Sequence, residues 1–238
     1  MIWRWTKLIL PPIVVLILVT LGAQWYVTKK EIPLFLFPKP TDIYHAFQEN
    51  WQTPIKLAAF HTALGALIGF AVSTIVGVLL AIAFTGSKWI ERAFYPYTVF
   101  FQTVPIIAIA PMLVLWLEAG MKAVAVCAFI ASVFPIITNM MTGLHSIDPA
   151  LKDLFKLYGG GPVSRLFKLR IPSSLPYLFT GLRIAAGLSV IGTIVGEFVA
   201  TELNSEAGLG IMILQAIKYG QTDLVFAGVI AGLHTIGG

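Results

Sequence analysis

What this 238-residue chain lacks narrows its class before any motif is read. Charged residues make up only 11% of it, about half the share of a soluble domain. Hydrophobic residues make up 58%, and mean hydropathy is +0.87. This is the composition of a polytopic membrane protein. The one cysteine, Cys127, lies in an apolar run, which rules out a disulfide framework or a cysteine metal site and leaves a small apolar helix residue. His45, His61, His145 and His234 are scattered along the chain, so metal catalysis has no support. No Gly-x-x-x-x-Gly-Lys-Ser/Thr occurs, and the run Gly159, Gly160, Gly161 therefore does not cradle nucleotide phosphates. Gly187-Leu188-Ser189-Val190-Ile191-Gly192 approaches a nucleophile elbow but lacks the glycine two residues after the serine and follows no strand. No catalytic residue is assigned. If ATP and Mg drive this protein, a separate subunit binds them.

What is present is a series of apolar runs. Residues 8–27 supply about 20 apolar positions, enough to span a bilayer, with Pro11 and Pro12 expected in the first turns, where missing donors matter least. Arg4 and Lys7 precede it as in a signal peptide, but no small-residue cleavage site follows, and it is expected to be retained. Residues 28–55 turn mixed, and Asp42-Ile43-Tyr44 opens a short amphipathic helix expected to lie outside. A second span, 61–84, carries Gly65, Gly69, Ser73, Gly77 and Ala81 at every fourth position. That stripe suits close helix packing, within one subunit or between two.

A third span, 95–117, contains Gln102, Thr103, Pro105 and Pro111, the pattern of a broken helix lining a cavity. A fourth, 123–141, carries Pro135 and Asn139. The fifth, 178–200, aligns Gly181, Ala185, Ser189, Thr193 and Glu197 on one stripe. Residues 201–222 are apolar only in their middle and are expected to lie on the surface or re-enter. A sixth span begins near residue 223 and stops about 15 residues later, short of the roughly 20 needed, as if the native chain continued. Polar groups in a span are costly unless they face protein or water. Gln102, Thr103, Ser189, Thr193 and Glu197 are therefore the candidates for a translocation path.

Between the fourth and fifth spans lies the longest polar interruption, 145–183. Leu151, Leu154, Phe155 and Tyr158 recur at helical spacing before the glycine run, and Val163, Leu166, Phe167 and Ile171 after it. Two short amphipathic helices around a glycine turn are expected, closed by Pro172 and Pro176. The run leaves open whether Gly160 or Gly161 could replace Gly159 in the turn. Asp153-Leu154-Phe155, Gly159 and Leu169-Arg170-Ile171-Pro172 stand at the spacing of Glu-Ala-Ala, Gly and Ile-x-Leu-Pro. In this the chain resembles the permease subunits of binding-protein-dependent ABC importers. The continuation Leu175-Pro176-Tyr177 to Thr180-Gly181-Leu182-Arg183 resembles the nitrate, sulfonate, taurine and bicarbonate branch. The chain departs from the pattern at the first triplet, where Asp replaces Glu and Leu154-Phe155 replaces two alanines.

That resemblance implies an all-α membrane protein of about six transmembrane helices with a coupling loop, 143–175, between spans 4 and 5. It divides the chain into an amino-terminal helix (1–28), an external segment (29–55) and a permease core (56–238). It implies ATPase-coupling residues Asp153, Leu154, Phe155, Gly159, Gly160, Arg165, Leu169, Ile171 and Pro172. It also implies partners: cytoplasmic ATPase subunits, an external binding protein that is periplasmic or lipid-anchored, and a second copy of the permease. Basic residues favour the same orientation. Arg4, Lys7, Lys88, Arg92, Lys152, Lys156, Arg165, Lys168, Arg170 and Arg183, out of 16 Lys and Arg, fall on the side that holds the amino terminus. The net charge of +5 thus reports membrane topology and not nucleic acid. The resemblance implies a bacterial inner membrane, and the amino terminus is expected inside. Two other classes stay open on the residues alone: an intramembrane enzyme using Glu197, and a structural scaffold.

Overall fold

A backbone in hydrocarbon has no water to bond, so an apolar run must satisfy its own N–H and C=O groups by forming a helix. The computed structural model describes residues 2–200 and 208–237, and every regular element among them is helical. They are α1 (Ile2–Lys29), α2 (Pro40–Asn50), α3 (Lys56–Gly86), α4 (Lys88–Thr103), α5 (Ile106–Leu117), α6 (Met121–His145), α7 (Pro149–Leu157), α8 (Pro162–Arg165), α9 (Ile171–Ala200), α10 (Leu209–Lys218) and α11 (Thr222–Gly237). Wider π-type turns at Trp51–Ile55 and Leu166–Arg170 lead into α3 and α9.

Among the described residues, four helices are long and apolar enough to cross a membrane: Leu10–Lys29, Lys56–Gly86, Met121–His145 and Pro162–Ala200. α4 and α5 together make a fifth only if a 96° bend is counted within one span. Proline causes the bend. The residue before a proline is pushed out of the α region; Val104 sits at φ −74°, ψ 122°, and Pro105 at φ −62°, ψ 121°. The broken third span is thus two helices at nearly a right angle. α11, at 16 residues, is the element expected as a sixth span.

Two boundaries differ from the sequence reading. α1 begins at Ile2, so Pro11 and Pro12 fall in its third turn, not its first. Only the carbonyls of Lys7 and Leu8 lose their helical donors there. The second half of the polar loop is not a separate helix. Pro162–Ala200 runs as one 39-residue helical stretch. Pro172 fits because the π-type turn of Leu166–Arg170 already rearranges the carbonyls its missing N–H would have served.

The chain sorts into two compact units, Met1–Ala59 with Ile211–Gly238, and Phe60–Gly210. In the first unit, Lys39 N donates to Asp42 Oδ2 at 3.2 Å to start α2. α2 and α11 pack together; nearby, Thr222 Oγ1 donates to Phe35 O at 2.7 Å and Phe37 meets Phe226 edge-on at 5.8 Å.

In the second unit, α6 is packed by α3 on one side and α9 on another. Small residues set the spacing. A methyl on Gly69 would strike the Ala128 side chain, and one on Gly192 would sit 2.7 Å from Cys127 O. The hydroxyls of Ser73 and Ser132 meet at 2.9 Å between α3 and α6. The stripe of the second span thus packs within one subunit. With no hydrophobic drive between helices in lipid, this contact is what holds them.

Candidate functional site

The loop from Ser146 to Arg170 is built from local rules. Asp148 Oδ1 accepts from Ala150 N at 2.8 Å, which caps the start of α7. The helix ends in a Schellman arrangement: Gly159 takes φ +70°, and Gly160 N donates to Phe155 O at 3.0 Å. Gly159 is the one member of the run with a positive φ. Gly160 has a different task, because a Cβ there would strike the Phe155 ring. The three glycines are therefore not interchangeable. Gly161 caps α8, with Pro162 at its first position.

The apolar side chains of the loop divide. Leu154 is 49% exposed, while Phe155 is half-buried beside Gly160. Leu166 and Ile171 pack on the core formed by Ala81, Val133, Ile137 and Met140. Leu157 and Tyr158, at 84% and 85% exposure, form the apolar tip instead. Leu169 and Arg165 are half-buried, and Asp153 and Pro172 are exposed.

Arg170 ties this loop to the spans. Its Nε donates to Leu144 O at 3.3 Å and its Nη1 to Thr85 O at 3.4 Å. Both carbonyls belong to helix C-termini, α6 and α3, where orphan acceptors and the negative end of the dipole favour a cation. The sequence placed Arg170 at the variable position of the last motif and in the topology count but not in these contacts, since its partners stand 26 and 85 residues away.

The five candidates for a path do not share one surface. Gln102 and Thr103 are exposed at the end of α4, before the bend. Ser189, Thr193 and Glu197 are buried on α9. Glu197, 4% exposed, accepts from Thr62 Oγ1 at 2.8 Å and from Gly210 N at 2.7 Å. Thr62 Oγ1 in turn accepts from Leu209 N at 2.9 Å. One carboxylate and one hydroxyl thus join α3, α9 and the first residues of α10. Gly208 is required beside them, because a Cβ there would strike the Glu197 carboxylate. No cluster of metal-binding side chains occurs among the described residues.

Residues 73–236 match the family described as the binding-protein-dependent transport system inner membrane component. The chain belongs to that family. This permease is 32% identical over 229 residues to the "Probable ABC transporter permease protein" of Haemophilus influenzae, covering 93% of this chain and 89% of that one. It is 30% identical over 230 residues to the riboflavin transport system permease protein RibX of Chloroflexus aurantiacus, covering 94% and 82%. Other relatives are named as permeases for bicarbonate, nitrate and aliphatic sulfonates. The inward-facing MetNI methionine ABC transporter has a chain of the same fold, with TM-score 0.51 and 18% identity over 77% of this permease and 93% of that chain. The chain is a multi-pass transport subunit of an ABC importer and not itself an enzyme.

Proposed function

We propose that this permease carries a small solute across the bacterial inner membrane and that the loop of α7 and α8 receives the force of a separate ATPase. The observation that carries this reading is the single helical stretch from Pro162 to Ala200. A displacement at its loop end passes along α9 without a flexible joint, while Arg170 holds the same end to α3 and α6. Leu157 and Tyr158 offer the exposed apolar anchors that a groove in a partner would bury. Asp153, Leu154 and Phe155 form the supporting helix, and Gly159 and Gly160 the turn. Arg165, Leu169, Ile171 and Pro172 form the base.

In this reading the amino terminus and the loop face the cytoplasm, and residues 29–55 lie outside; residues 201–207 of the other external segment fall outside the described residues. A second permease copy completes the path, and an external binding protein delivers the solute. Gln102 and Thr103 face that path from the α4–α5 bend, while Ser189, Thr193 and Glu197 hold its wall from within the packing. The solute is a small anion or a vitamin-like heterocycle, the two kinds named among the relatives. Choice between them rests with the binding protein. The test is disulfide cross-linking. Cysteine at Leu157 or Tyr158, in a Cys127→Ser background, links to a cysteine in the co-expressed ATPase, whereas cysteine at Phe35 does not. Equal capture from Phe35 would refute the assignment.

A further inference from the structure

We propose that the cavity where α3, α6 and the loop converge is a phosphate site, occupied by the headgroup of an anionic phospholipid. The cavity measures about 480 Å³ and is lined by Lys88, Lys152, Arg165 and Arg170, with Glu91 the one acid among its described lining residues. That acid lies 3.1 Å from His145 Nε2 and offsets part of the charge on Arg170, which leaves one carboxylate to four basic side chains. Lys152, Arg165 and Arg170 are each half-buried. Like charges brought together and partly desolvated disfavour one another, so the cluster is an unfavourable arrangement without an anion to share. Arg170 gives Nε and Nη1 to helix carbonyls, which fixes its guanidinium plane and leaves Nη2 for an incoming oxygen. Guanidinium forks suit phosphate oxygens, and ammonium groups add charge around them.

A second observation favours a lipid over a free anion. Lys88 and Glu91 open α4, and an adjoining cavity of about 520 Å³ shares them with His145 and adds Arg92, Tyr95 and Pro96. From there α4 exposes Trp89, Tyr97, Phe100 and Phe101. Trp and Tyr sit at headgroup level in membrane proteins. A phosphate in the cavity would therefore have apolar surface beside it for its acyl chains. Basic pockets between helices on the cytoplasmic side are the setting in which anionic headgroups bind. The site goes beyond the coupling role and rests on the orientation proposed above only for the leaflet that supplies the lipid.

Native mass spectrometry of the full-length permease tests it, with phosphatidylglycerol, phosphatidylcholine of the same acyl chains, and inorganic phosphate as probes. One phosphatidylglycerol is expected to be retained in preference to phosphatidylcholine. Lys88→Gln with Lys152→Gln should weaken it about 25-fold, from roughly fivefold per basic residue at a membrane surface, whereas Lys88→Arg with Lys152→Arg should bind as wild type. Should the double glutamine variant not purify, each single variant decides the matter with its own fivefold loss. Phosphate binding with the same sensitivity, and no lipid preference, would uphold the anion site and overturn the lipid as its occupant. Equal retention of both lipids without phosphate binding, or equal affinity in wild type and glutamine variants, would overturn the site. Release of the lipid on adding the ATPase would assign the cavity to acids of that partner and also overturn the proposal.

Discussion

Replacing Glu197 with alanine separates a structural carboxylate from one that serves the transport path. In the wild type it accepts from Gly210 N at 2.7 Å and Thr62 Oγ1 at 2.8 Å, and both Thr62 and Gly210 are buried. Alanine leaves an amide and a hydroxyl without an acceptor where water has little access. Each costs about 1–3 kcal/mol, and the lost side-chain volume adds to this, so the expected destabilisation is on the order of 3 kcal/mol or more. Glu197→Gln retains one carbonyl oxygen and should lose less, about 1–2 kcal/mol. Reversible unfolding of the detergent-purified permease reads these differences. A thiol reagent applied to Leu209→Cys in the Cys127→Ser background reads exposure of the α10 start. Alanine should give lower stability and faster labelling together. Wild-type stability and labelling, with transport lost, would show that the carboxylate serves the path instead.

Other outcomes follow from the packing and the loop. Gly192→Leu should cost at least the 1–3 kcal/mol of an overpacked core, read as a lower melting temperature, because its Cβ would lie 2.7 Å from Cys127 O. Gly187→Leu, where a Cβ meets nothing within 4 Å, should stay within about 0.5 kcal/mol of wild type. Arg170→Ala should lower solute-stimulated ATP hydrolysis while the ATPase still binds, and Arg170→Lys should not restore it, since a single ammonium lacks the fork that spans two helix ends. For topology, Ser164→Cys should resist a membrane-impermeant thiol reagent in intact cells while Phe35→Cys reacts; the reverse pattern would overturn the orientation.

Much of this was legible in the sequence for a physical reason: apolar length and small-residue spacing act locally. The stripe from Gly65 to Ala81 and the series from Gly181 to Glu197 both became buried helix faces, because periodicity alone decides which side of a helix can approach another closely. The Val104–Pro105 break was also visible, since proline restricts its neighbour whatever the tertiary context. Its 96° angle was not. Nor were the hydrogen-bond partners of Glu197. Periodicity puts it on the buried stripe of α9, but Thr62, which donates to it, stands 135 residues away. Arg170 escaped for the same reason. The glycine run shows the opposite limit: three identical letters hid three tasks, and only backbone angles distinguish Gly159 from Gly160.

The most direct measurement of the coupling claim is solute-stimulated ATP hydrolysis by the reconstituted transporter carrying Gly159→Val with Gly160→Val. Valine at φ +70° is a strained conformation for a β-branched residue, and a side chain at position 160 displaces Phe155. The turn should therefore deform while α3, α6 and α9 remain intact. The predicted result is hydrolysis reduced to its unstimulated rate, with the permease inserted and the ATPase still co-purifying. Wild-type stimulation in that variant would contradict the account.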